Sequence, residues 1–147
     1  RLQGDNRQLL PIPCDHTVFS PPYASAMHAG TGMDDKREEL EAYASDTLNL
    51  GLLNPFLYAQ QMDRLYRLLG ESVATNGTMT VVIKDQMAKG ERIFHSQPCI
   101  RSAVKAGFEL EEWFKWSPPG SGFQHVMKAK GSKVVEDEDI LIFRRMP

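Results

Sequence analysis

Ser20, Pro21, Pro22 and Tyr23 stand in a row, and together they offer a specific piece of chemistry. Two adjacent prolines lack backbone N–H groups, so the segment is stiff and its carbonyls find no partner within it. A fixed carbonyl beside a serine hydroxyl makes a pair of acceptors suited to an –NH2 group. The tyrosine ring adds a face on which a flat base can stack, worth about 1–3 kcal/mol. These pieces describe a pocket for an aromatic amine. Taken alone, the same tetrapeptide also suits a surface turn. A proline-rich docking peptide fits less well, because the tyrosine directly follows the prolines and the segment is tied to a strand.

The elements that must position this stretch can be read from spacing. Residues 1–4 read as the tail of a strand, and Asp5-Asn6-Arg7 as a polar turn. Residues 16–20 (HTVFS) form a short strand that Pro21 must end. Residues 24–53 are small, polar and acidic, and are expected to be a mobile loop or insert with a helical turn or two. Asn54 and Pro55 suit the N-cap and first position of a helix. Its apolar face is Tyr58, Met62, Leu65, Tyr66 and Leu69, and Gly70 or the Asn76-Gly77 turn stops it. Residues 78–85 (TMTVVIKD) read as a central parallel strand buried on both faces. Ser96-Gln97-Pro98 opens a second helix, with Ile100, Ala103 and Val104 on its apolar face and Gly107 as its stop. Residues 108–116 and 137–145 are two closing strands around a Gly/Lys-rich segment. This order predicts an α/β fold with a mostly parallel sheet and an antiparallel C-terminal strand pair. In open sheets of that kind, ligands sit beyond the carboxyl ends of the strands, where Ser20–Tyr23 falls.

With 147 residues, the chain is long enough for one domain with a real core. Its 41% hydrophobic and 24% charged composition is that of a globular protein. Seventeen basic against nineteen acidic residues give a formal charge of −2, so any nucleic-acid surface must be a local patch. Cys14 and Cys99 read as reduced thiols of a cytoplasmic protein. Apolar stretches fall far short of the roughly 20 residues that span a bilayer, so no membrane partner is expected. His16, His28, His95 and His125 show no metal-ligand spacing, and no metal is expected.

The quoted stretches carry a resemblance. SPPY resembles the catalytic motif of S-adenosylmethionine-dependent DNA amino-methyltransferases, in which Asp, Asn or Ser precedes Pro-Pro and an aromatic. The serine form is associated with the cytosine 4-amino group, the acidic and amide forms with adenine. QGDNRQLLPIP looks like the family's Gly-Asp turn, whose acid contacts the cofactor adenine. LYRLLGESVATNGTMTVVIKD looks like the helix, turn and strand after the catalytic loop, and AGFELEEWFKWSPPG with DEDILIFRR is similar to the closing strand pair. The resemblance implies a Rossmann-like methyltransferase sheet, incomplete at its N-terminal side, with residues 1–147 as the catalytic-side portion of one domain. It implies S-adenosylmethionine as cofactor, contacted by Asp5, Asn6, Phe19 and Ser20. It implies methyl transfer to a base flipped out of DNA, cytosine favoured, within a bacterial or phage restriction-modification system. Ser20, Pro21, Pro22 and Tyr23 are then the catalytic residues: Tyr23 stacks on the base, while Ser20 and the Pro21 carbonyl accept its amino hydrogens.

The family's glycine-rich cofactor turn and ribose-binding acid have no match. No strand-Gly-x-Gly-helix unit is evident, and HAGTG at 28–32 is the nearest candidate. A missing half, upstream or downstream, or a partner subunit is expected to complete the cofactor site. Asp5 also suits a plain turn cap, and Lys84-Asp85 at the end of its strand a solvated pair. Lys89, Arg92, Lys115, Lys128, Lys130 and Lys133 lie in loops or near strand ends and are candidates for DNA phosphate contacts. Trp113 and Trp116 alternate with Phe114, one face reading as core and the other as a wall of the base pocket. Two other functions stay open on sequence: an RNA or protein-glutamine amino-methyltransferase of similar motif, and a non-catalytic truncated domain that binds nucleic acid.

Overall fold

A computed structural model describes residues 5–22, 50, 53–119 and 122–147. The chain divides into two compact units, Pro22–Leu65 and the remainder, Arg1–Pro21 with Tyr66–Pro147. Asp5 caps a single helical turn, α1 (Asn6–Leu9), where a polar turn was expected. Strand β1 (Cys14–Phe19) follows and ends just before Ser20 and the two prolines. The expected loop over 24–53 lies outside the described residues, Leu50 and Leu53 excepted.

Helix α2 (Pro55–Ser72) begins as its sequence requires. The Asn54 Oδ1 accepts the Leu57 N–H at 2.9 Å, satisfying one of the helix's otherwise unpaired first-turn donors. Met62, Leu65, Tyr66 and Leu69 are buried at helical spacing, as expected, and Tyr58 is half-buried. Neither proposed stop ends the helix. Gly70 lies inside it because a Cβ there would sit 2.4 Å from the Ala106 carbonyl oxygen, so close packing, not termination, requires the glycine. The helix ends at Ser72, whose hydroxyl donates to the Leu68 carbonyl (2.7 Å) and accepts the Ile12 N–H (3.1 Å). Strand β2 (Val73–Ile83) starts at the next residue. Asn76, at φ +65°, and Gly77 form an irregularity within β2, where Cys14 pairs with Val73 but His16 with Thr78.

Two short strands, β3 (Gln86–Ala88) and β4 (Glu91–Ile93), form a hairpin that the sequence reading missed. Lys89 (φ +52°) and Gly90 (φ +82°) make its two-residue turn, a left-handed pair of the kind such hairpins need. Helix α3 (Ser96–Lys105) buries Ser96, Cys99 and Ala103 along one stripe. Val104, expected on that face, is 54% exposed. Cys99 sets the inward face instead, its thiol lying 2.9 Å from the Tyr66 hydroxyl. Gly107, at φ +86°, ends the helical path as expected. Strand β5 (Phe108–Trp116), helix α4 (Gly122–Ala129) and strand β6 (Glu138–Arg145) complete the chain. Helix α4 occupies part of the segment read as a Gly/Lys-rich connection.

The sheet order is β1-β2-β6-β5. β1 and β2 are parallel, and β6 runs antiparallel to both β2 and β5. Three strands therefore share one direction, and the closing β6 is inserted against them. The fold is mixed α/β, as the element order predicted. Met79, Val81, Ile83, Leu141 and Phe143 are buried on one face, each side chain of this size contributing about 1.5–3 kcal/mol when removed from water. Helix α3 packs on β5 and β6. On the opposite face Thr78, Thr80 and Val82 are half-covered, so β2 is not buried on both faces as its apolar run implied.

Candidate active site

Ser20 and Pro21 sit immediately beyond the carboxyl end of β1; Ser20 is exposed and Pro21 buried. Pro22 is exposed, and Tyr23 lies outside the described residues. Phe19, half-buried, packs its ring against Tyr66 at a centroid distance of 6.1 Å. Because β1 and β2 are parallel and β6 runs against them, the end of β1, the end of β2 and the start of β6 share one edge of the sheet. Asp85, Arg92, Lys115, Asp137 and Asp139 cluster at that edge.

Asp5 and Asn6, expected at the cofactor, are the cap and first residue of α1, which Leu10–Pro13 separate from β1. The Asp5 carboxylate accepts the Arg7 backbone N–H at 2.9 Å and is paired with the Arg7 guanidinium, whose Nη2 lies 2.5 Å from Oδ2. The acid is thus a cap locked by a buried arginine, and Asn6 is exposed.

The candidate phosphate-binding residues separate into those held by carboxylates and those with no ion pair among the described residues. Arg92 donates to Asp85 through Nε (2.7 Å) and to Asp137 through Nη2 (3.0 Å). Lys115 reaches Asp137 (3.0 Å) and Asp139 (2.7 Å), and Trp113 donates its indole N–H to Asp139 at 2.6 Å. Lys128 is paired with Glu136. Lys89 and Lys130 are exposed, at the hairpin tip and just after α4. The structure brings Arg92 and Lys115 together through Asp137 and leaves Lys128 on a separate acid.

This chain of alternating charges was not legible: Lys84-Asp85 read as a solvated pair, yet Asp85 is buried on Arg92 and Lys84 pairs with Glu138. The members come from the residues after β2, from β4, β5, the entry to β6 and β6 itself. The readable sign was the acidic run at 136–139 opening a strand that must pair with Lys115. Electrostatics follow from the geometry. Hydrogen bonds from Lys115 and then Arg92 lower the Asp137 carboxyl to about 2. Bonds to Asp137 and then Asp85 raise Arg92. Burial pulls Lys115 down, but its bonds to Asp139 and Asp137 more than offset that and leave it raised. The Asp85 carboxylate, shielded from solvent, also accepts the His95 N–H at the start of α3 (2.9 Å). Burial lowers His95 against the opposing pull of Asp85. Burial also pushes the Cys99 thiol up to about 11, so that group is a structural hydrogen-bonding neighbour of Tyr66.

The aromatic strand end departs from expectation. Trp113, Phe114 and Trp116 are 41–50% exposed, so neither face of that stretch is core. The reason is position: β5 is an edge strand of the sheet. Helix α4 opens at Gly122 after β5, and residues 120 and 121 lie outside the described residues. HAGTG at 28–32 also lies outside them. Among the described residues, no group of three His, Cys, Asp or Glu is arranged to hold a metal, and no helix is long and apolar enough to cross a membrane. Cys14 and Cys99 are free thiols.

No family model matches this sequence, and no curated protein matches it. Solved structures do match in shape. PvuII DNA methyltransferase, cytosine-N4-specific, superposes with a TM-score of 0.61 at 21% identity, over 97% of this chain and 48% of that one. TTHA0409 from Thermus thermophilus, inferred to be a DNA modification methylase and complexed with S-adenosyl-L-methionine, gives 0.60 at 20% identity, over 98% and 54%. The chain spans about half the length of these proteins. It has the mixed α/β, Rossmann-like fold of the corresponding half of DNA methyltransferase structures.

Proposed function

We propose that this chain is the catalytic-side portion of a single DNA amino-methyltransferase domain. It transfers a methyl group from S-adenosylmethionine to the exocyclic amino group of a flipped base, cytosine in preference to adenine. The observation that carries this reading is the position of Ser20 and Pro21: beyond the carboxyl end of β1, beside a parallel strand, on a fold shared with DNA methyltransferases. Ligands of open α/β sheets collect at that edge.

S-adenosylmethionine, when bound, supplies an electrophilic methyl group. Phe19 and Ser20 fit one wall of its site, and Asp5, fixed by Arg7, presents an acid with Asn6 beside it. The remaining cofactor contacts belong to residues outside the described ones. The Ser20 hydroxyl and the Pro21 carbonyl each accept one amino hydrogen of the base. That arrangement draws the nitrogen toward tetrahedral geometry and turns its lone pair toward the methyl donor. Tyr23 stacks on the base, and the buried Pro21 holds its own carbonyl in place as an acceptor. A paired base hides its amino group inside the duplex, so flipping is required. Lys89, Arg92, Lys115, Lys128 and Lys130 stand as backbone contacts that position DNA without reading its sequence.

Two substitutions test the assignment. Tyr23→Ala is expected to weaken flipped-base binding by about 1–3 kcal/mol, read by equilibrium titration with DNA. Pro21→Ala is expected to slow methyl transfer in single-turnover experiments while leaving DNA affinity near wild type. Full activity in both variants rules the assignment out.

A further inference from the structure

We infer that the cavity between the β3–β4 hairpin and the turn after α4 binds a phosphodiester of the nucleic-acid strand that enters the active site. The inference rests on the methyltransferase reading for its placement. The cavity has a volume of about 460 Å³, within the range of ligand sites. Met87, Gly90 and Arg92 form the hairpin wall, and Lys128, Lys133 and Glu136 the facing one.

Asp85 and Asp137 offset the charge of Arg92 from behind and Glu136 that of Lys128, so Lys133 is the lining cation left to draw an anion into the space. Arg92 is oriented from behind by Asp85 and Asp137, so its guanidinium is held in place before any ligand arrives. Glu136 is paired with Lys128, whereas no ion pair engages Lys133 among the described residues. The space exceeds what a lone phosphate fills, and Met87 with the buried Val135 adds an apolar surface for the attached sugar. Gly90 leaves open space where a Cβ would project, so a phosphate oxygen can approach the backbone closely.

Placement gives the site its role. Met87 follows the carboxyl end of β2 and Glu136 precedes β6, so the cavity opens at the sheet edge that carries Ser20 and Pro21. β1 and β6 are separated by one strand, so their ends lie on the order of 10 Å apart across the sheet. Holding a phosphate here fixes the register of the strand while the target base turns into its pocket.

The test is fluorescence anisotropy of a labelled single-stranded oligonucleotide with the chain across a range of salt. Lys128→Gln with Lys133→Gln should weaken binding by about tenfold and flatten the log-affinity against log-salt slope by about 1.4, roughly 0.7 per lost contact. Glu136→Gln should tighten binding, and Lys105→Gln, at the far end of α3, should change nothing. Unchanged affinity and slope in the double variant would overturn the site, as would inorganic phosphate displacing the oligonucleotide at equal concentration, which marks a free-anion site instead. Failure of the catalytic reading looks different: oligonucleotide binding through Lys128 and Lys133 would persist with no methyl transfer. If transfer persists while the double variant binds normally, this site alone is removed.

Discussion

Asp137 accepts from Arg92 and Lys115 at once, and its carboxyl is held at about 2 against an ordinary 3.8. A carboxyl whose folded value lies below its unfolded value adds stability above about pH 4 and loses it as pH falls toward 2. Asp137→Asn should therefore be less stable than wild type at pH 6 and nearly equal to it near pH 2. The difference at pH 6 is about 1 kcal/mol or less, because Lys115 is 50% exposed and water screens the pair. Urea unfolding at a series of pH values reads this directly, and identical acid profiles would remove Asp137 from the network. Ser20 and the prolines could be singled out in the sequence because contiguous residues carry their chemistry by type alone. The Asp85–Arg92–Asp137–Lys115–Asp139 chain could not, because sheet register and not sequence distance assembles it.

At the scale of elements, sequence reasoning worked where a local rule acts and failed where packing overrides one. The Asn54 cap and the Gly107 stop are local, and both were legible. Gly70 reads as a helix stop yet lies two residues inside α2, because the Ala106 carbonyl leaves no room for a side chain. Helix propensity alone predicts that Gly70→Ala stabilises by about 1 kcal/mol. The 2.4 Å approach to backbone predicts the reverse, since overpacking costs about 1–3 kcal/mol and a carbonyl cannot rotate away as a side chain can. A lowered denaturant midpoint for Gly70→Ala supports the packing account, and a raised one contradicts it. The β3–β4 hairpin escaped notice because Lys-Gly is a weak turn signal and its strands have three residues each. Helix α4 was missed for another reason. The apolar spacing of Phe123, Val126 and Met127 was present, but the surrounding glycines and lysines made the segment read as a connection.

The whole molecule joins one parallel strand pair to an inserted antiparallel strand, and this arrangement gathers the ends of β1 and β2 with the start of β6 on one edge. The fold class was legible because strand, helix and strand alternate at the expected lengths, whereas the strand order depended on long-range pairing. The claim that unites the edge is amino-group methylation at Ser20 and Pro21. The measurement that tests it most directly uses the full-length protein, S-adenosylmethionine labelled in its methyl group and unmethylated genomic DNA, so that the recognition sequence need not be known. The DNA is then digested and its nucleosides separated by mass. The account predicts label on an exocyclic amino nitrogen, mainly N4-methylcytosine, lost together in Pro21→Ala and Tyr23→Ala. Label on a ring carbon, or DNA without label while another acceptor is methylated, would contradict it.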